Sequence, residues 1–246
     1  LRLTIGFPEI LLVDADTLTS FENYYMQALD SLGKVYDIVK FSDKDAFYSS
    51  ARSIIIWHTG NRSSNVLTNE ERDTLINWLN SGKKLFISSQ YLAEDQNGSQ
   101  FITNYLGASV VQTGISYKTM VAETNDPLGN KFRLFNPDGA QNANSNDNIS
   151  PQVGARRAFK WTNVLGSGDY GGAMVYRIEN GMCKTVFLAG PFEAISNTQS
   201  GWNKREELMS AILNCFVNVS ADEIGIIPFG IYPSLKNSKI IIKYHL

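Results

Sequence analysis

The chain has 246 residues, of which 43% are apolar and 19% charged, with 22 Lys and Arg against 24 Asp and Glu. That length and apolar content are enough to close one sizeable core, and they exclude a chain disordered throughout. A net charge of −2 supplies no basic field for a phosphate backbone, so nucleic acid is not an expected partner, and two His and two Cys cannot furnish a Cys₄, Cys₂His₂ or His₃ zinc centre.

No run approaches the roughly 18 consecutive apolar residues that span a bilayer, so no transmembrane segment is expected. Residues 1–8 begin with Leu1-Arg2-Leu3-Thr4-Ile5-Gly6, which alternates like the last strand of an upstream β domain or its linker, and the chain reads as a fragment of a longer polypeptide. Ile10-Leu11-Leu12-Val13 is a wholly apolar run that ends in Asp14-Ala15-Asp16, as a strand buried on both faces does where it emerges. Thr19 or Ser20 then caps a predicted helix from about Phe21 to Leu32, with Gly33 as its stop. Strands follow at Tyr36 to Phe41 and Ser53 to His58. Thr68-Asn69-Glu70-Glu71 reads as a capping box opening a helix that Ser81-Gly82 ends, and Leu85-Phe86-Ile87 is the fourth strand. This rhythm predicts an α/β fold: a doubly wound, mostly parallel sheet with helices on both faces.

The rhythm changes after an interrupted helical stretch from Tyr91 to Gly107. Residues 108 to 135 alternate as an antiparallel insertion, and Asn136 to Ser150 reads as a polar, Asn-rich loop. Asn180-Gly181 marks the turn of a hairpin between Ala173 to Ile178 and Cys183 to Ala189, whose second arm returns to the sheet. A last amphipathic helix runs from about Trp202 to Val217. Cys183 then falls on a strand and Cys215 on the following helix; two buried free thiols are the simpler reading, and a disulfide is the alternative.

The order of these elements, the Ile54-Ile55-Ile56-Trp57-His58-Thr59-Gly60 strand and turn, the strand into Ser88-Ser89-Gln90, and Phe187-Leu188-Ala189-Gly190-Pro191-Phe192-Glu193 resemble a class I glutamine amidotransferase-like domain with a flavodoxin-like sheet. Leu11 to Asp16 and Gly190 to Ile195 are similar to the version inside secreted multidomain bacterial proteins. The resemblance covers residues 9–219. Residues 220–246 form a short C-terminal β tail in which Phe229 to Tyr244 resembles the start of a type IX secretion sorting domain, with Tyr232-Pro233-Ser234-Leu235 standing where a second proline is usual. The resemblance implies an extracellular or cell-surface protein whose partners are the other domains of the same polypeptide.

Ligands of open α/β sheets settle at the carboxyl ends of the strands, which here hold Asp14, Asp16, His58, Ser89, Gln90 and Glu193; these are the candidate ligand-binding residues. Active members of the resembled family carry a Cys nucleophile on the turn after the fourth strand and a His-x-Glu pair after a late strand. The present chain has Ile87-Ser88-Ser89-Gln90-Tyr91 and Pro191-Phe192-Glu193 at those places. With neither thiol nor base, Glu193 orients nothing, and glutaminase activity is not expected. The leading expectation is a non-catalytic accessory or interaction module, with a carbohydrate or protein ligand; Trp161, Tyr170 and Trp202 are candidate stacking aromatics. The competing reading is a hydrolase in which Ser89 is nucleophile, His58 base and Asp14 or Asp16 its partner. Against it, Ile87 and Tyr91 occupy positions where a strained nucleophile turn needs small residues. No cofactor is expected beyond a calcium or magnesium ion at Asp14 and Asp16, completed by Glu94 or Glu193, with loop and helix capping as the alternative role of the two aspartates.

Overall fold

A computed structural model describes residues 7–16, 20–42, 52–135 and 138–217, and two short strands, β12 (Ile231–Pro233) and β13 (Ile240–Ile242), which pair antiparallel. The predicted strand at the amino terminus and most of the C-terminal tail lie outside the described residues. The α/β expectation holds. Strands β1 (Ile10–Asp14), β2 (Tyr36–Lys40), β3 (Ile54–His58) and β4 (Lys84–Ser88) are joined in parallel, and β11 (Met182–Leu188) continues the parallel set beside β4. Their spatial order, β2-β1-β3-β4-β11, is the flavodoxin-like order. Beyond β11 the same sheet turns antiparallel through β10 (Gly172–Glu179), β9 (Ala155–Thr162), β6 (Thr119–Ala122) and β7 (Lys131–Arg133).

Side chains alternate along each parallel strand, and both faces are covered. Even-numbered positions such as Leu12, Ile56, Phe86 and Val186 pack with α1 (Glu22–Ser31) and α4 (Arg205–Phe216). Odd-numbered positions Leu11, Val13, Ile55, Trp57, Leu85 and Ile87 pack with Leu75, Trp78 and Leu79 of α2 (Asn69–Asn80). The capping box of α2 forms as expected: the Thr68 hydroxyl accepts from the Glu71 amide and the Glu71 carboxylate accepts from the Thr68 amide. Among the described residues no side chain caps the start of α1, so the hydrogen bond expected of Ser20 is not made, and Thr19 lies outside them.

Three local expectations are corrected. Asn146 to Ser150 is not loop but most of β8 (Asn146–Pro151), paired with β5 (Ala108–Ile115) and touching β10. Its asparagine side chains make specific hydrogen bonds: Asn146 Nδ2 donates to the Tyr117 carbonyl, and Asn148 Oδ1 accepts from the Gly172 amide. Trp161 lies within β9 and is fully buried, donating its indole N–H to the Asp147 carbonyl, so it presents no face to a ligand. Cys183 and Cys215 are not free thiols but a disulfide, with Cα atoms 5.3 Å apart. The reason is topological: α4 lies back across β11, which brings its last turn over the start of that strand.

Candidate functional site

The carboxyl ends of β1, β3 and β4 are in register, with Asp14 opposite His58 and His58 opposite Ser88. These three residues therefore form one row on the face covered by α1. Tyr25 of α1 closes over the row, its ring stacked on His58 with centroids 4.7 Å apart. The Tyr25 hydroxyl donates to Glu193 Oε2 at 2.8 Å, and Asn142 Nδ2 donates to Glu193 Oε1 at 2.7 Å. Phe192 packs edge-on against Phe86 beneath the cluster.

Electrostatics follow from burial. His58 is fully buried, and desolvation alone lowers its pKa to about 3, so the ring is neutral at any ordinary pH. Among the described residues neither ring nitrogen has a hydrogen-bond partner, and Nε2 is 3.8 Å from Asp14 Oδ1, beyond hydrogen-bonding reach. Burial also raises the Asp14 pKa, to about 6, offset in part by the Asp16 amide that donates to Oδ1 at 3.0 Å and reinforced by Glu22. Glu193 is likewise pushed up by burial, against the opposing hydrogen bonds from Asn142 and Tyr25. Asp16 packs against Gly60: a Cβ there would lie 2.3 Å from Asp16 Oδ2, and Gly60 has φ of +51°, so only glycine fits this turn.

Ser89 belongs to a different neighbourhood. One residue beyond Ser88, it leaves the His58 row, and its oxygen accepts from the Thr59 hydroxyl at 2.7 Å and the Leu92 amide at 3.1 Å, at the start of the four-residue α3 (Leu92–Asp95). Ser88 donates to the Gly190 carbonyl and accepts from the Phe192 amide, tying β4 to the turn after β11. Gln90 clamps the Asn-rich segment, its Oε1 accepting from the amides of Asn144 and Ser145 while its Nε2 donates to Asn61.

Asp14, His58 and Glu193 are thus gathered around Tyr25, Asp16 stands beside them against Gly60, and Ser89 and Gln90 are engaged elsewhere. Asp14 does cap its own loop, as its alternative role required. Glu94 lies on α3, beside Asp147 rather than Asp14. Among the described residues no three His, Cys, Asp or Glu side chains converge to hold a metal ion. The reading of the residues missed Tyr25 and Asn142. Tyr25 carried a signal, since a tyrosine on the apolar face of a buried helix must find a partner for its hydroxyl; Asn142, one of several asparagines in a polar stretch, carried none.

Of the candidate aromatics, Tyr170 is 40% exposed and stacks on Tyr117, and Trp202 lies under the cations of Lys131 and Arg133. No helix among the described residues is long and apolar enough to cross a membrane.

No protein-family profile and no curated protein sequence matches the chain. Solved structures do. A protein from Thermoplasma acidophilum, assigned as part of a GMP synthase, matches over 85% of this chain and 94% of its own, at 11% identity and a TM-score of 0.54. The PurLQS structure from Thermotoga maritima matches over 85% of this chain and 99% of that one, at 14% identity and a TM-score of 0.53. At such identities it is the fold that is shared: this chain has the flavodoxin-like α/β fold of class I glutamine amidotransferase domains.

Proposed function

We propose that this chain is a glutaminase-inactive, non-catalytic amidotransferase-like module, serving as an accessory or interaction domain of a secreted or cell-surface bacterial protein. The observation that carries the reading is the disulfide: the chain has two cysteines, and both are spent in the Cys183–Cys215 bond, so no free thiol exists to attack a carbonyl. The turn after β4, where the resembled family holds its nucleophile, carries a serine whose oxygen already receives two hydrogen bonds. The nearby imidazole is neutral but, among the described residues, has no hydroxyl within hydrogen-bonding reach, and Tyr25 stacks on it.

A disulfide also favours an oxidising compartment, which supports the extracellular placement together with the resemblance of the tail. Other domains of the same polypeptide are then the first partners, and a carbohydrate or protein is the external one. The serine-hydrolase alternative needs Ser89 to meet His58, and strand alternation sends the two to separate neighbourhoods. A fluorophosphonate probe tests the choice: the module reading expects no labelling of Ser89, whereas labelling that disappears in His58→Ala overturns it.

A further inference from the structure

Across β7, β6 and β9 the row Phe132, Met120 and Trp161 is buried in the core, so the next row, Arg133, Thr119 and Thr162, points to the other face of the sheet. On that face a hollow of about 450 Å³ opens, with Thr119, Thr162, Tyr117, Phe135 and Val164 in its lining. The two threonine hydroxyls are spent on each other and on backbone carbonyls, which leaves rings and methyl groups to face the hollow. Beside it Val164 is 58% and Leu165 80% exposed, on a loop pinned from within: Asn163 Oδ1 accepts from the Leu165 and Ser167 amides, and Asp169 receives two hydrogen bonds from Arg157. Tyr170 of the same loop stacks on Tyr117, with centroids 4.3 Å apart. A contiguous exposed apolar surface of this kind, rimmed by polar groups, marks an interaction site.

The charge beside the hollow is positive. Arg133 donates to the Val164 carbonyl, and its guanidinium lies against two rings, 4.9 Å from the centroid of Trp202 and 5.0 Å from that of Phe135. Lys131 stands over the same indole at 5.3 Å, and Lys118 lines the hollow itself. Rings and a carbonyl hold a cation in place without cancelling its charge. Among the described residues none of these three cations has an acid partner: Glu123 and Asp169 are both taken by Arg157, Glu206 by Lys204, and Glu207 caps α4. A guanidinium steadied by aromatic rings keeps its fork of donors for a carboxylate, and Arg, Trp and Tyr are the residue types that carry most of the energy of protein interfaces. We propose that this face is the protein-binding surface of the module, and that it takes a peptide segment in which a large apolar side chain stands beside an aspartate or glutamate: the apolar side chain enters the hollow and the carboxylate pairs with Arg133. The proposal rests on the interaction-module reading and gives it a partner class.

The test is selection of a random phage-displayed peptide library on the full chain, followed by calorimetric titration of the enriched peptides. The proposal expects a consensus in which an aromatic or large aliphatic residue is flanked by Asp or Glu. Arg133→Gln lowers the affinity of those peptides by about tenfold to a hundredfold, the loss of a charge-assisted hydrogen bond. Replacing the acid of the peptide by its amide costs a similar factor against the native chain and little against Arg133→Gln, the non-additivity that marks a direct pair. Val164→Asp, at a residue already largely exposed, puts a like charge at the hollow and abolishes binding without moving the melting temperature; it is the second variant should Arg133→Gln fail to fold. No enrichment, a consensus without acids, additive losses in the paired substitutions, or affinity unchanged in both variants overturns the proposal, as does co-sedimentation with phosphatidylglycerol vesicles in place of peptide binding, which assigns the face to a lipid surface. None of these results bears on the non-catalytic reading itself, which the Ser89 probe decides.

Discussion

Reduction of the Cys183–Cys215 bond is the perturbation with the largest consequence that the structure allows to be worked out. The bond closes a loop with a sequence separation of 32. In the chain-entropy treatment, cross-linking a loop of that length removes enough freedom from the unfolded chain to stabilise the fold by about 4 kcal/mol. For a chain of this size each kcal/mol moves the midpoint by about 2–4 °C, so reduction should lower the melting temperature by about 10 °C. Helix α4 buries Leu208, Met209, Ile212, Leu213 and Phe216 against the sheet, and that contact survives reduction, so the reduced protein should still fold. The assay is circular dichroism melting with and without a phosphine reductant, repeated on a Cys183→Ser, Cys215→Ser double variant, which should melt low and ignore the reductant. Two thiols titrating in the native, untreated protein, with a melting temperature that reductant does not change, would refute the assignment and return both cysteines to the core as free thiols.

Three further outcomes follow from the buried polar groups. The Asp147 carboxyl is pushed up by burial to about 7 and that of Asp14 to about 6, so the folded state keeps both protons where the unfolded chain has lost them; this stability is full at low pH and disappears as pH rises through 6 to 7. His58 acts in the opposite sense, its folded pKa of about 3 favouring the fold above its unfolded value and costing stability as pH falls below it, but two carboxyls outweigh one imidazole. Melting temperature should accordingly be higher at pH 5 than at pH 8, with Asp147→Asn flattening the difference; a higher value at pH 8 contradicts this assignment. Tyr25→Phe leaves a buried Glu193 oxygen without its donor and should cost about 1–3 kcal/mol in urea unfolding, while a neutral result would mean that the hydroxyl bond contributes nothing. Ser89→Ala removes the acceptor at the start of α3 and should cost about 0.5–2 kcal/mol, the scale of a lost cap, with no change in any measured turnover.

The parallel half of the fold was legible because its signals are local. Three apolar runs, the Thr68 to Glu71 capping box and the Asn180-Gly181 turn, both residues of which have positive φ, each state their own conformation. The antiparallel half was harder to read. Strand β8 is polar because its asparagines hydrogen-bond across the sheet, so composition alone made it a loop. The disulfide depends on α4 folding back over β11, a long-range placement that a spacing of residues does not encode. The candidate site was legible as a set of strand ends but not as a constellation. Strand alternation, applied to β3 and β4, puts Ser88 rather than Ser89 beside His58, and this could have been read from the sequence once the register was known.

The proposed module carries an amidotransferase fold without amidotransferase chemistry, and ammonia release from glutamine by the purified chain measures that separation outright. The assay is run on the oxidised form and again after full reduction, when Cys183 and Cys215 are thiols. No release above the buffer rate is expected in either state, because neither sulfur lies at the carboxyl end of β4 and no base stands beside it. Sustained release in either state, abolished in the cysteine double variant or in Ser89→Ala, would contradict the proposal.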